Sequence, residues 1–93
     1  MPTDTASQTV LVINERGLHA RAATKLVQLA ARYPCEVLLD KDGHEVNGKS
    51  IMGVLMLVAS KGTTLTVKAK GDQAAEAVTE IVKLFNDKFG EDI

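Results

Sequence analysis

The chain has 93 residues, 45% hydrophobic and 25% charged, with a formal net charge of −1, the composition of one globular domain with a single core and no room for a second. No apolar run nears the ~18 residues of a membrane-spanning helix, and the polar start from Met1 to Gln8 lacks the basic-then-apolar order of a secretory signal. With Tyr33, Phe85 and Phe89 as the only aromatic residues and no basic excess, the surface offers nothing for nucleic acid, so a cytoplasmic protein without nucleic-acid or membrane partners is expected.

Thr9 to Ile13 reads as a strand of β-branched and aliphatic residues, broken by Asn14-Glu15-Arg16-Gly17. In the following segment Ala22, Leu26, Leu29, Ala30 and Tyr33 recur at helical spacing, and Pro34 ends it. Cys35 is the only cysteine; it excludes an intrachain disulfide and a multi-cysteine zinc site, and reads as a small packing group. Glu36 to Asp40 and the weaker Glu45 to Asn47 form a hairpin around Asp42-Gly43. Ser50 stands as the cap of a short helix over Ile51 to Leu57, and Gly62 closes that unit. Leu65, Val67 and Ala69 alternate with Thr64, Thr66, Lys68 and Lys70, the pattern of a strand with one buried and one wet face. Asp72 is the expected cap of the last helix, whose stripe is Ala74, Val78, Ile81, Val82 and Phe85.

The order β-α-β-β-α-β-α predicts a two-layer α+β fold, an antiparallel sheet with helices on one side. The expected core is Val10, Val12, Leu26, Leu29, Leu38, Val67, Val78, Ile81, Val82 and Phe85, and the segments 1–8 and 90–93 are expected to be flexible.

The chemistry sits in Gly17-Leu18-His19-Ala20-Arg21-Ala22-Ala23, which puts an imidazole and a guanidinium two residues apart where strand gives way to helix. A helix start leaves N–H groups unpaired and carries partial positive charge, so it collects anions. A neutral imidazole nitrogen is itself a nucleophile, and Arg21 adds a permanently charged fork suited to phosphate oxygens. The residues point to a phosphoryl-bearing His19; on position alone, His19 can equally serve only as a cap or face solvent, and Arg21 only pair with a carboxylate.

Gly43-His44-Glu45-Val46-Asn47-Gly48-Lys49-Ser50 satisfies the Gly-x-x-x-x-Gly-Lys-Ser pattern of a nucleotide-binding loop. Such a loop follows a buried parallel strand and needs a second strand bearing a magnesium ligand, whereas these residues read as half of a hairpin. The match is therefore read as coincidental, and His44, with no partner at ligand spacing, as a solvated turn residue. No cofactor and no metal site is expected.

Two segments together, Gly17-Leu18-His19-Ala20-Arg21 and Lys49-Ser50-Ile51-Met52-Gly53-Val54, resemble the HPr family, the histidine phosphocarriers of the bacterial phosphoenolpyruvate-dependent phosphotransferase system. The resemblance runs from about Thr9 to Asp87. It implies an open-faced β-sandwich of sheet order 1-4-2-3 with three helices on one face, spanning 1–93 as a single HPr-like domain. It further implies that His19 accepts a phosphoryl group on Nδ1 from Enzyme I and passes it to an EIIA-type protein, so that the chain is a monomeric carrier rather than a catalyst. Arg21 falls on the residue that assists transfer. Ser50 falls on the regulatory serine, which makes an HPr kinase/phosphorylase a further candidate partner; its bland role is the helix cap. The family's usual proline after that arginine is Ala22 here, an exchange a first helical turn tolerates.

Ala22, the run Leu55-Met56-Leu57 and the ending Leu84-Phe85-Asn86-Asp87-Lys88-Phe89 are closer to the nitrogen-branch type called NPr than to the sugar-branch carrier, which stays the alternative. A regulatory interaction module that is never phosphorylated is the rival from another class. The short helix after Ser50 carries more apolar bulk than one face can bury, so Ile51, Met52 and Leu55, with Thr24 on the rim, are the candidate docking patch. Plain core packing is the competing role, above all for Val54, Leu57 and Val58.

Overall fold

The computed structural model describes residues 4–93, in the order β1 (Thr5–Leu11), α1 (Ala20–Ala30), β2 (Glu36–Lys41), β3 (His44–Asn47), α2 (Ile51–Met56), β4 (Thr64–Lys70) and α3 (Ala74–Asn86), then a 3₁₀ turn at Lys88–Gly90. The strands form one antiparallel sheet of order β1-β4-β2-β3, and α1, α2 and α3 lie on one side of it.

Alternation along β4 buries Leu65, Val67 and Ala69 and leaves Thr66 and Lys68 on the open face. Register carries the same parity into β2: Leu39 pairs with Val67 and Val37 with Ala69, so Val37 and Leu39 are fully buried. Leu38 pairs with Lys68 on the open face and is only half-buried, which corrects its expected place in the core. In α1 the buried face is Ala22, Ala23, Leu26 and Ala30; Leu29, also expected inside, lies on the shoulder of that stripe and is half-buried. The other eight expected core residues are buried, with the ring of Phe89 as an addition. Phe89 meets Phe85 edge-on, centroids 4.9 Å apart at 66°.

Asp42 and Gly43 both adopt positive φ, 52° and 87°, the geometry of a tight hairpin between β2 and β3. Asp40 Oδ1 accepts the Gly43 N–H at 2.8 Å. Asp72 does not cap α3: the flanking residue is Gln73 in left-handed geometry, without a side-chain cap bond. A main-chain turn takes the donor that Asp72 was expected to satisfy, since Ala74 N–H reaches Gly71 O at 3.2 Å.

At the ends expected to be flexible, Thr5 to Gln8 pair with β4 from Lys70 to Val67, while the expectation for residues 1–3 lies outside the described residues. Lys88 and Phe89 take left-handed backbone, φ 55° and 56°, and turn the following residues back toward the start of α1. That conformation costs roughly 1–2 kcal/mol per residue; burial of the Phe89 ring, of order 1.5–3 kcal/mol, offsets much of it.

Candidate functional site

The segment between β1 and α1 is fixed from both sides before it reaches His19. Val12 N–H donates to Thr63 O at 2.9 Å, and Leu18 N–H to Ala59 O at 2.9 Å. Asn14 is completely buried, and its Nδ2 donates to Gly17 O at 2.9 Å. Gly17 has φ +65°, and a Cβ there would lie 2.5 Å from Ala59 O and 2.9 Å from Ser60 Cα, so glycine alone permits this close approach. Burial of Leu18 then leaves His19 at the mouth of α1.

His19 is the N-cap residue in extended conformation, φ −77° and ψ −179°. Its side chain makes no cap bond, which sets aside the role of a simple cap; its carbonyl accepts the Ala23 N–H at 2.8 Å. The N–H groups of Ala20, Arg21 and Ala22 precede that first helical bond and constitute the donor end of α1. The His19 ring is 26% exposed. Arg21 is exposed and in no ion pair among the described residues. An open cavity lies between Arg16, Arg21 and Lys25 on one side and residues 90–93 on the other.

Glu91 closes this end of the site. Its Oε2 contacts His19 Nε2, and its Oε1 accepts from Asn14 Nδ2 at 2.9 Å. The Asn14 bond, then the His19 bond, hold the Glu91 carboxyl below its usual range, with Arg16 adding attraction. Lys25 Nζ donates to Phe89 O at 2.6 Å and Glu15 N–H to Ile93 O at 2.5 Å, so the returning segment is tied to both flanks of the His19 loop.

The remaining predicted residues fall on α1 and α2, which pack against each other. Thr24 Oγ1 donates to Ala20 O at 2.8 Å. Ser50 caps α2, its Oγ accepting the Gly53 N–H at 3.1 Å. On α2, Ile51 is 41% and Met52 70% exposed, and Leu55 is half-buried. Met56, at 66%, extends the apolar surface, and Val58, for which core packing was the competing role, is instead 75% exposed where the chain turns through φ 50°. Val54 and Leu57 are buried.

The residues between Gly43 and Gly48 form β3, and Lys49 Nζ is engaged with Tyr33 O at 2.6 Å, so this stretch builds no phosphate cradle. Among the described residues no three His, Cys, Asp or Glu side chains converge to hold a metal ion.

Sequence reasoning missed Asn14, Lys25 and Glu91. An Asn three residues before a Gly is a local turn signal that points to Asn14. Nothing in the sequence pairs Glu91 with a histidine 72 positions away.

Residues 6–87 match the PTS-HPr family, described as "PTS HPr component phosphorylation site". The chain is 48% identical to the phosphocarrier protein HPr of Pseudomonas aeruginosa, across 88% of this chain and 92% of the relative. It is 43% identical to the phosphocarrier protein NPr of Escherichia coli, across 95% and 99%. A crystal structure of HPr from Thermoanaerobacter tengcongensis superposes with a TM-score of 0.91 at 39% identity, covering 95% of this chain and 99% of that one.

Proposed function

We propose, from the premise that this chain belongs to the HPr family of phosphocarrier proteins, that His19 is its phosphoryl acceptor and Arg21 the group that assists transfer. The chain is an HPr-type phosphocarrier of the phosphotransferase system, a carrier rather than a catalyst. The observation that carries the residue assignment is the setting of His19: a part-exposed imidazole, free of cap bonds, beside the opening N–H groups of α1 and a cavity flanked by Arg16 and Arg21.

In the forward step the lone pair of Nδ1 attacks the donor's phosphorus. The bond from phosphorus to the donor breaks, and its electron pair stays with the donor atom. Onward transfer reverses the roles: the acceptor's lone pair forms the new bond, and Nδ1 recovers its own pair. Arg21 and the helix N–H groups offset charge on the phosphoryl oxygens in both directions. Arg21 is exposed rather than enclosing, which suits a carrier that must hold its cargo only moderately.

Enzyme I is the donor and an EIIA-type protein the acceptor, and both dock on α2 through Ile51, Met52 and Leu55 with Thr24 at the rim. Exposed methionine supports that reading, because its flexible thioether adapts to several partners. Ser50, at the same helix start, is the regulatory site for an HPr kinase, where a phosphate would sit acceptably at a helix end yet repel acidic partners from the patch. The chain acts as one monomeric HPr-like domain, in the cytoplasm and without a cofactor.

The branch is the nitrogen-related one, supported by the Leu55-Met56-Leu57 run, the Leu84 to Phe89 ending and a likeness to NPr that extends over nearly the whole of both chains. The higher identity to the Pseudomonas HPr favours the second reading, a sugar-branch carrier. Incubation with Enzyme I and labelled phosphoenolpyruvate tests the site: acid-labile label on the wild type and none on His19→Ala is expected, and equal label on both overturns the assignment. Onward transfer to a nitrogen-branch rather than a sugar-branch EIIA decides the branch.

A further inference from the structure

We infer that Glu91 is a positioning residue for phosphoryl transfer: its carboxylate holds the ring proton of His19 on Nε2 and leaves Nδ1 as the attacking nitrogen. The inference rests on the reading of His19 as the phosphoryl acceptor. A neutral imidazole carries one N–H and one lone pair, and the group bonded to one nitrogen selects which is which. An ionised carboxylate accepts only, so Glu91 Oε2 bonds Nε2 when that nitrogen bears the proton. Nδ1 makes no hydrogen bond among the described residues.

The carboxylate is itself held in place. Asn14 Nδ2 bonds its other oxygen at 2.9 Å, and the same amide group is anchored in the interior on Gly17 O at 2.9 Å. Glu91 N–H donates to Lys88 O at 2.9 Å. A buried amide, a carboxylate and an imidazole thus stand in series, the arrangement by which a carboxylate fixes a histidine's tautomer in nucleophilic catalysis.

The charge balance favours the same role. Attack through Nδ1 by a ring protonated on Nε2 yields an N-phosphoryl imidazolium, whose positive charge faces the Glu91 carboxylate. When the phosphoryl group leaves, Nδ1 regains its electron pair and the ring is again neutral with the proton still on Nε2. No proton has to move in either direction. Glu91 and Asp92 also repel an incoming phosphoryl anion, and Arg16, Arg21 and Lys25, which line the same cavity, oppose that repulsion.

Glu91→Gln in the full chain removes the charge and keeps size and an acceptor oxygen; Glu91→Asp keeps the charge. Single-turnover phosphoryl uptake from Enzyme I and phosphoenolpyruvate is expected to slow by at least about 10-fold to 100-fold in Glu91→Gln, the scale for carboxylates that orient a metal-bound histidine, with partial recovery in Glu91→Asp. Nitrogen-15 spectra of the His19 ring are expected to report protonation on Nε2 in the wild type and a mixture of tautomers in Glu91→Gln, a change that loss of packing alone does not produce. Wild-type uptake with an unchanged ring spectrum in Glu91→Gln, or faster uptake, overturns the inference. A wild-type chain that takes up no label at all overturns instead the reading of His19 on which it rests.

Discussion

Gly17→Ala is the sharpest probe of how the His19 loop is held. The native φ of +65° costs an alanine roughly 1–2 kcal/mol. The added Cβ would also lie 2.5 Å from Ala59 O and 2.9 Å from Ser60 Cα, both backbone atoms that cannot swing away as a flexible side-chain end would. Relief requires the 14–19 loop to lift from the 59–60 segment, which weakens the Leu18 N–H to Ala59 O bond, a further ~1 kcal/mol. The sum is about 2–3 kcal/mol, and in a domain of this size that lowers the thermal midpoint by roughly 10–20 °C. Thermal unfolding followed by circular dichroism measures the first effect, and single-turnover phosphoryl uptake at a temperature where the variant is folded measures the displacement of His19. A midpoint within 2–3 °C of wild type together with unchanged uptake would refute the claim that this close approach positions the histidine.

Arg21 is exposed and in no ion pair among the described residues, so Arg21→Ala is expected to leave the unfolding midpoint unchanged while slowing transfer roughly 10²-fold, the scale of losing one charged donor at a transferring group; stopped-flow transfer and melting curves check the two halves. Met52 is 70% exposed, so Met52→Glu should keep stability yet weaken Enzyme I binding at least tenfold in calorimetry, because a charge in an apolar contact must be desolvated. The Glu91 carboxyl is depressed in the folded chain by Asn14 and His19, so its contribution to stability is complete above its ordinary value of 4.5 and is lost as pH falls through the lower folded value. A titration followed through the Asn14 side-chain amide resonances should therefore show the Asn14–Glu91 contact intact above pH 4.5 and opening only below it.

The parts of the site that are local in sequence were legible there. His19, Arg21 and Ser50 were each placed at a helix start by residues within a few positions, and the capping bond of Ser50 to Gly53 forms as expected. Parity within β2 was not legible, because Val37, Leu38 and Leu39 are all apolar and only pairing with β4 decides which of them faces the helices. The polar start of β1 hid a strand that lies at the sheet edge and is held by backbone pairing with β4. Asp72 failed as a cap because the Gly71 turn satisfied the helix start with main-chain groups, a competition composition does not reveal. Glu91 was invisible for the deepest reason: its meeting with His19 is a product of α3 packing on the sheet, the buried Phe89 and the left-handed turn beside it.

Phosphorus-31 spectroscopy of the chain after incubation with Enzyme I and phosphoenolpyruvate bears most directly on the central claim. A single phosphoramidate resonance, assigned to Nδ1 of His19 and absent from His19→Ala, is the predicted result. A phosphoramidate on His44, or a spectrum that His19→Ala leaves unchanged, would contradict it.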